Sequence, residues 1–219
     1  MASKTPQPIL ILFTTLLFLS PTPSQSSDPD PLQDYCIADL KHPRLLNGFP
    51  CKPASQVTTN DFFYSGLRRT GNTNNSLSSS LTPGNVLSFP GLNTLGISMN
   101  RVDLGIGGLN PPHIHPRATE IGFVVKGKVL IGLITTGNKV FEKNLTAGDM
   151  FVAPRGLVHY QMNVGKEEAF IITAFNSQLP GAVVVSMSLF GSKPSVNDDV
   201  LTKAFHVNKS VVDEIKSKF

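Results

Sequence analysis

Between residues 94 and 189 the chain is a train of short apolar runs, each cut by glycine, proline or polar turn residues before it can grow into a helix of ordinary length. The first run, residues 94–104, alternates Leu95, Ile97, Met99 and Arg101 against Gly96, Ser98, Asn100 and Val102, which is the two-residue period of a strand. Further strands are expected at 121–125, 129–134, 139–145, 150–153, 157–164, 169–176 and 182–189. Short strands at this spacing predict a mostly β chain closed into a sandwich or barrel. Lys126, Gly127 and Lys128 between two apolar runs carry the signal of a hairpin.

The flanks read differently. Residues 27–53, rich in proline and aspartate, predict an irregular arm, and residues 57–67 an apolar segment against an edge of the fold. Residues 69–84, RTGNTNNSLSSSLTPG, have the composition of a loop. After the strands the period changes. Val196, Val200, Leu201, Ala204 and Phe205 recur at helical spacing behind a cap at Ser195 or Asn197, and Val211, Val212, Ile215 and Phe219 repeat the pattern behind Ser210. Helices this short need a docking surface, on the barrel or on a neighbouring subunit.

A length of 219 residues suits one domain with extensions. With 16% charged and 40% hydrophobic residues, the chain is neither disordered nor a long charged helix. Its 19 basic and 15 acidic residues are scattered, without a block of like charge, so no nucleic-acid partner is expected. A mildly basic surface leaves acidic cell-wall polysaccharide as a partner the chain can meet.

Residues 9–19, ILILFTTLLFL, follow Lys4 and precede small polar residues, the layout of a cleaved secretory signal over residues 1–26. That apolar core is too short to span a bilayer comfortably, so no membrane span is expected. Cys36 and Cys51, the two cysteines of an exported chain, read as a disulfide; a cysteine-based metal site competes but has no partner beyond His42. Asn74, Asn144 and Asn208 open glycosylation sequons, and Asn74 has the most loop-like surroundings.

The chemistry concentrates in residues 107–127, GGLNPPHIHPRATEIGFVVKG. In an extended segment His113 and His115 share a face, and a bend at Pro116 can return Glu120 to the same point. Residues 148–163, GDMFVAPRGLVHYQMN, add His159 in a strand able to run beside the first. Imidazoles with one carboxylate favour Mn, Fe or Zn over Ca or Mg.

These two stretches resemble the paired motifs of the cupin superfamily. Gly107, His113, His115, Glu120 and Gly127 match each place of the first, and Gly148, Pro154, Gly156, His159 and Asn163 match the second. DPDPLQDYCIADL, FPGLNTLGISMNRVDLGIGGLNPPHIHPRATEIGFV, PRGLVHYQ and FNSQLPG resemble more closely the germin-like proteins of plants. The resemblance implies a secreted apoplastic glycoprotein of defence or stress response: a jelly-roll barrel over residues 57–190 behind an arm at 27–56, with carboxy-terminal helices at 191–219 making oligomer contacts in a hexamer built as a trimer of dimers. It implies manganese held by His113, His115, Glu120 and His159, with Asn100 and Asn110 beside a small anion or oxygen species. Superoxide dismutation is the expected activity. Oxalate oxidation is set behind it, because Leu109 stands where the oxalate-oxidising relatives have a small polar residue. A non-catalytic receptor or hormone-binding protein of the cell wall is the alternative.

Overall fold

The computed structural model describes residues 33–219; the expected signal at 1–26 and the first residues of the arm lie outside the described residues. Strands β1 (Ser79–Gly84), β2 (Ser98–Leu104), β3 (Leu109–Ile114), β4 (Glu120–Lys126), β5 (Lys128–Ile134), β6 (Val140–Thr146), β7 (Met150–Ala153), β8 (Val158–Asn163), β9 (Ala169–Phe175) and β10 (Val183–Val184) form two antiparallel five-stranded sheets. One runs β1-β2-β9-β4-β7 and the other β10-β3-β8-β5-β6, the two-layer arrangement of a jelly roll.

Register sorts the buried side chains of the interior into layers. At one end Ser98 and Glu120 pair with Phe175, while His113 and Leu133 pair with His159. One step inward, Asn100 and Gly122 pair with Thr173, while Asn110 and Ile131 pair with Gln161. Beyond these, Val102, Leu104, Val124, Val129, Ile131, Leu145, Ala169 and Ile171 form a closed apolar cluster. Full burial of each large aliphatic side chain there contributes roughly 1.5–3 kcal/mol. The barrel is thus polar at the His113 end and plugged by hydrocarbon at the other.

Four expectations need correction. Residues 121–134 are not a hairpin: β4 pairs with β7 and β9, and β5 with β6 and β8, in opposite sheets. Gly127, at φ +87°, carries the chain across, where a Cβ would stand 2.6 Å from that of Ala169. The stretch read as loop contains β1, an edge strand paired to β2 alone, the kind of strand in which a proline such as Pro83 is tolerated. Residues 182–189 are not one strand. Only Val183–Val184 is extended, and helix α1 (Val185–Phe190) follows, because a short apolar run carries no decisive period. The strand expected over 94–104 begins only at Ser98, as β2, since Thr94 and Gly96 adopt positive φ.

The two further helices are α2 (Asp198–Phe205) and α3 (Lys209–Lys216). The Asn197 side chain caps α2 by accepting from Asp199 N at 2.8 Å, and Asn208 rather than Ser210 holds the N-cap position of α3. Leu201 and Val212 bury their apolar faces, and Lys216 donates to Asp198 Oδ1 at 2.6 Å to hold the two helices together. The arm is closed by the Cys36–Cys51 disulfide. Asn93, fully buried, pins it to the barrel by accepting from Phe49 N at 3.0 Å and donating to Phe49 O at 2.8 Å.

The outer face of the β1-β2-β9-β4-β7 sheet exposes Met99, Ile121, Phe123, Met150 and Val152. Among the described residues no helix is long and apolar enough to cross a membrane.

Candidate metal centre

His113 sits in β3 directly opposite His159 in β8, His115 follows one residue past the end of β3, and Glu120 opens β4. The loop between His115 and Glu120 therefore brings a carboxylate from one sheet to imidazoles on the other. Each of the four residues offers a ligand atom, these atoms lie within 4.8 Å of one another, and all four side chains are buried. The ring centroids of His113 and His159 are 4.2 Å apart, and those of His115 and His159 5.3 Å. Phe175 closes one side, edge-on to His115.

Each imidazole is braced through Nδ1. His113 contacts Pro111 O at 2.8 Å, His159 contacts Leu157 O at 2.9 Å, and His115 contacts Gly181 O at 2.5 Å. A carbonyl can only accept, so the proton sits on Nδ1 and the Nε2 lone pairs of the neutral rings face inward. There Glu120 Oε2 lies 2.8 Å from His115 Nε2 and 3.2 Å from His159 Nε2. His115 Nε2 is buried and makes no hydrogen bond. Lone pairs converging on a carboxylate at a buried point call for a cation between them, so the residues fit a metal ion.

The electrostatics keep the donor atoms free. Burial, with His159 beside it, pulls the His113 pKa down to about 4. Burial opposes ionisation of Glu120, but the close approach of His115 and His159 outweighs it and brings the pKa down to about 2. Metal affinity needs this neutral imidazole and ionised carboxylate.

A cupin family model matches residues 65–213. Germin-like protein subfamily T member 2 of Arabidopsis thaliana is 56% identical over 197 residues, covering 90% of this chain and 89% of its own. The chain is a germin-like member of the cupin family. Oxalate oxidase 1 of Hordeum vulgare is 52% identical, with 88% of this germin-like chain and 98% of that protein covered. A solved oxalate oxidase in complex with the substrate analogue glycolate superposes with a TM-score of 0.85 at 52% identity, over the same shares of the two chains.

The other expected site residues fall in different places. Asn100 and Asn110 both face inward, one layer from the histidines. Asn100 Oδ1 is buried without a hydrogen-bond partner, whereas Asn110 Nδ2 donates to Gln161 Oε1 at 2.5 Å. Leu109 pairs with Met162, whose side chain is partly exposed, so Leu109 points to the outer face of the germin-like barrel. The resemblance had made this position the ground for setting oxalate oxidation behind superoxide dismutation, and the register turns its side chain away from the histidines. Asn74, Asn144 and Asn208 are exposed.

Sequence reasoning missed Gln161 and Thr173. Gln161 is fully buried, and its Nε2 lies 3.4 Å from Glu120 Oε1. The period of two counted from His159 would have found Gln161, and counted from Asn100 across the β2–β9 register it would have found Thr173. Gly181, 66 residues from His115, leaves no local signal.

Proposed function

We propose that this germin-like chain is a secreted manganese glycoprotein of the plant apoplast, serving defence or stress response, whose centre performs redox chemistry on a small anion or oxygen species. The convergence of three neutral imidazoles and one carboxylate on a buried point carries the reading. Manganese, when bound, supplies a centre that changes oxidation state and keeps positions open to a small ligand. His113, His115, Glu120 and His159 would hold it. Fe and Zn satisfy the same donor atoms and are outcomes of metal analysis.

The chain's own residues then define what can enter. The apolar cluster blocks passage through the barrel and excludes bulk water from one side of the centre. The layer of Asn100, Asn110, Thr173 and Gln161 offers amide and hydroxyl groups to a small anion. The unpartnered Asn100 oxygen asks for a donor, which a protonated ligand or a water beside the anion provides.

Superoxide dismutation needs little beyond the metal and an open position. Oxalate oxidation, in which oxalate, two protons and dioxygen give carbon dioxide and hydrogen peroxide, is favoured by one specific observation: both asparagines face inward while Leu109 faces out. The identity to the Hordeum vulgare oxalate oxidase supports the same reaction. Assays of the manganese-loaded and metal-stripped protein with superoxide and with oxalate decide between them. Inactivity of the loaded protein on both sinks the enzyme reading and leaves the binding protein.

The exposed apolar sheet face supports self-association, with a hexamer of three dimers as the proposed assembly. The exposure of Asn74, Asn144 and Asn208 supports all three sequons, Asn74 first.

A further inference from the structure

His115 is held differently from its two companions. His113 and His159 donate to carbonyls two residues back, so their own strands orient them. His115 donates to Gly181, on a strap that leaves β9 and crosses the metal end of the barrel before pairing with β3 as β10. Arg117, two residues after His115, grips that strap. Its backbone N donates to Pro180 O at 3.3 Å and its Nε to Leu179 O at 2.8 Å. Its guanidinium also packs close to Gly181, where a Cβ would stand 2.7 Å from one Nη and 3.1 Å from the other. Gly181 adopts φ +68°, a left-handed conformation that aims its carbonyl at the imidazole and leaves room for the arginine.

We infer that Arg117 is a positioning residue for the centre: by clamping residues 179–181 it holds Gly181 O where it fixes the tautomer and orientation of His115. The inference rests on the metal-centre reading above. It assigns Arg117 no contact with substrate and no part in a reaction step. An Nε donor to Leu179 O with the two Nη groups held at Gly181 is an arrangement lysine cannot reproduce, so shape as well as charge is required.

The test is manganese retention by the full-length secreted protein, read as the rate of metal loss to excess chelator. Arg117→Gln and Arg117→Lys should both lose manganese at least about tenfold faster than the native chain, the usual scale for partners that orient a metal-binding histidine. Arg44→Gln, which removes a charge from a cavity that Arg44 and Arg117 both line, should not change the rate. Gly181→Ala, which pushes the guanidinium away while keeping Arg117, should match Arg117→Gln and carries the test if the arginine variants fail to fold. Native retention in Arg117→Gln or in Gly181→Ala overturns the inference, as does recovery of native retention in Arg117→Lys, which would reduce the arginine to a charge. A native chain that never takes up manganese refutes the metal reading instead, so the two failures are distinguishable.

Discussion

Gln161 joins Glu120 to Asn110: its Nε2 lies 3.4 Å from Glu120 Oε1, and its Oε1 accepts from Asn110 Nδ2. One glutamine thereby ties the carboxylate of the centre to the inward asparagine of β3. Glu120 is left with Oε2 facing His115 and His159. Gln161→Leu keeps the bulk and removes both bonds. Manganese affinity, measured by competition with a chelator, should fall roughly 10–100-fold. Unchanged affinity would mean that the backbone alone positions Glu120.

Leu109 and Asn100 make an opposing pair of expectations. Leu109 lies on the outer face, so Leu109→Thr should leave the kcat/KM of whichever reaction is found within about twofold, like most substitutions away from a site. Asn100 faces inward, and Asn100→Ala should lower kcat/KM by roughly 10–100-fold, the scale of one lost buried hydrogen bond. Steady-state kinetics on both variants checks this. A large gain in oxalate oxidation by Leu109→Thr would restore the importance that the resemblance gave that position.

Acid should destabilise the metal-free protein in two windows. The unfolded chain protonates His113 near its ordinary pKa of 6.5 while the folded chain resists to about 4, so stability falls as pH drops between those values. Glu120, held at about 2 against an ordinary 4.5, extends the loss downward. Thermal unfolding of the stripped protein should show its midpoint on the order of 10 °C lower near pH 4 than at pH 7. A flat midpoint across that range would mean the histidine is not buried in the folded apo chain.

The paired histidine strands and the cysteine pair were legible in the sequence, because each is written in local spacing. What escaped depends on which strands become neighbours. Nothing local distinguishes a tight β4–β5 turn within one sheet from a glycine corner between two, so residues 121–134 read as a hairpin. Register likewise decides which way Leu109 faces, and its place opposite Met162 cannot be read from residues 107–127 alone. The bracing of His115 by Gly181 spans 66 residues and cannot be read from either segment alone.

The disulfide closes a loop with a sequence separation of 15. In the chain-entropy model its loss costs about 3 kcal/mol. The Cys36→Ser, Cys51→Ser double variant should therefore unfold roughly 6–12 °C below the native chain in a thermal scan. An equal midpoint would mean that the Asn93 clasp on Phe49 holds the arm by itself.

His113, His115, Glu120 and His159 should bind one manganese ion per chain, which elemental analysis of the native protein beside its His159→Ala variant checks. Near-stoichiometric manganese is expected in the native protein and almost none in the variant. A native protein without metal, or a variant that keeps a full complement, would overturn the assignment.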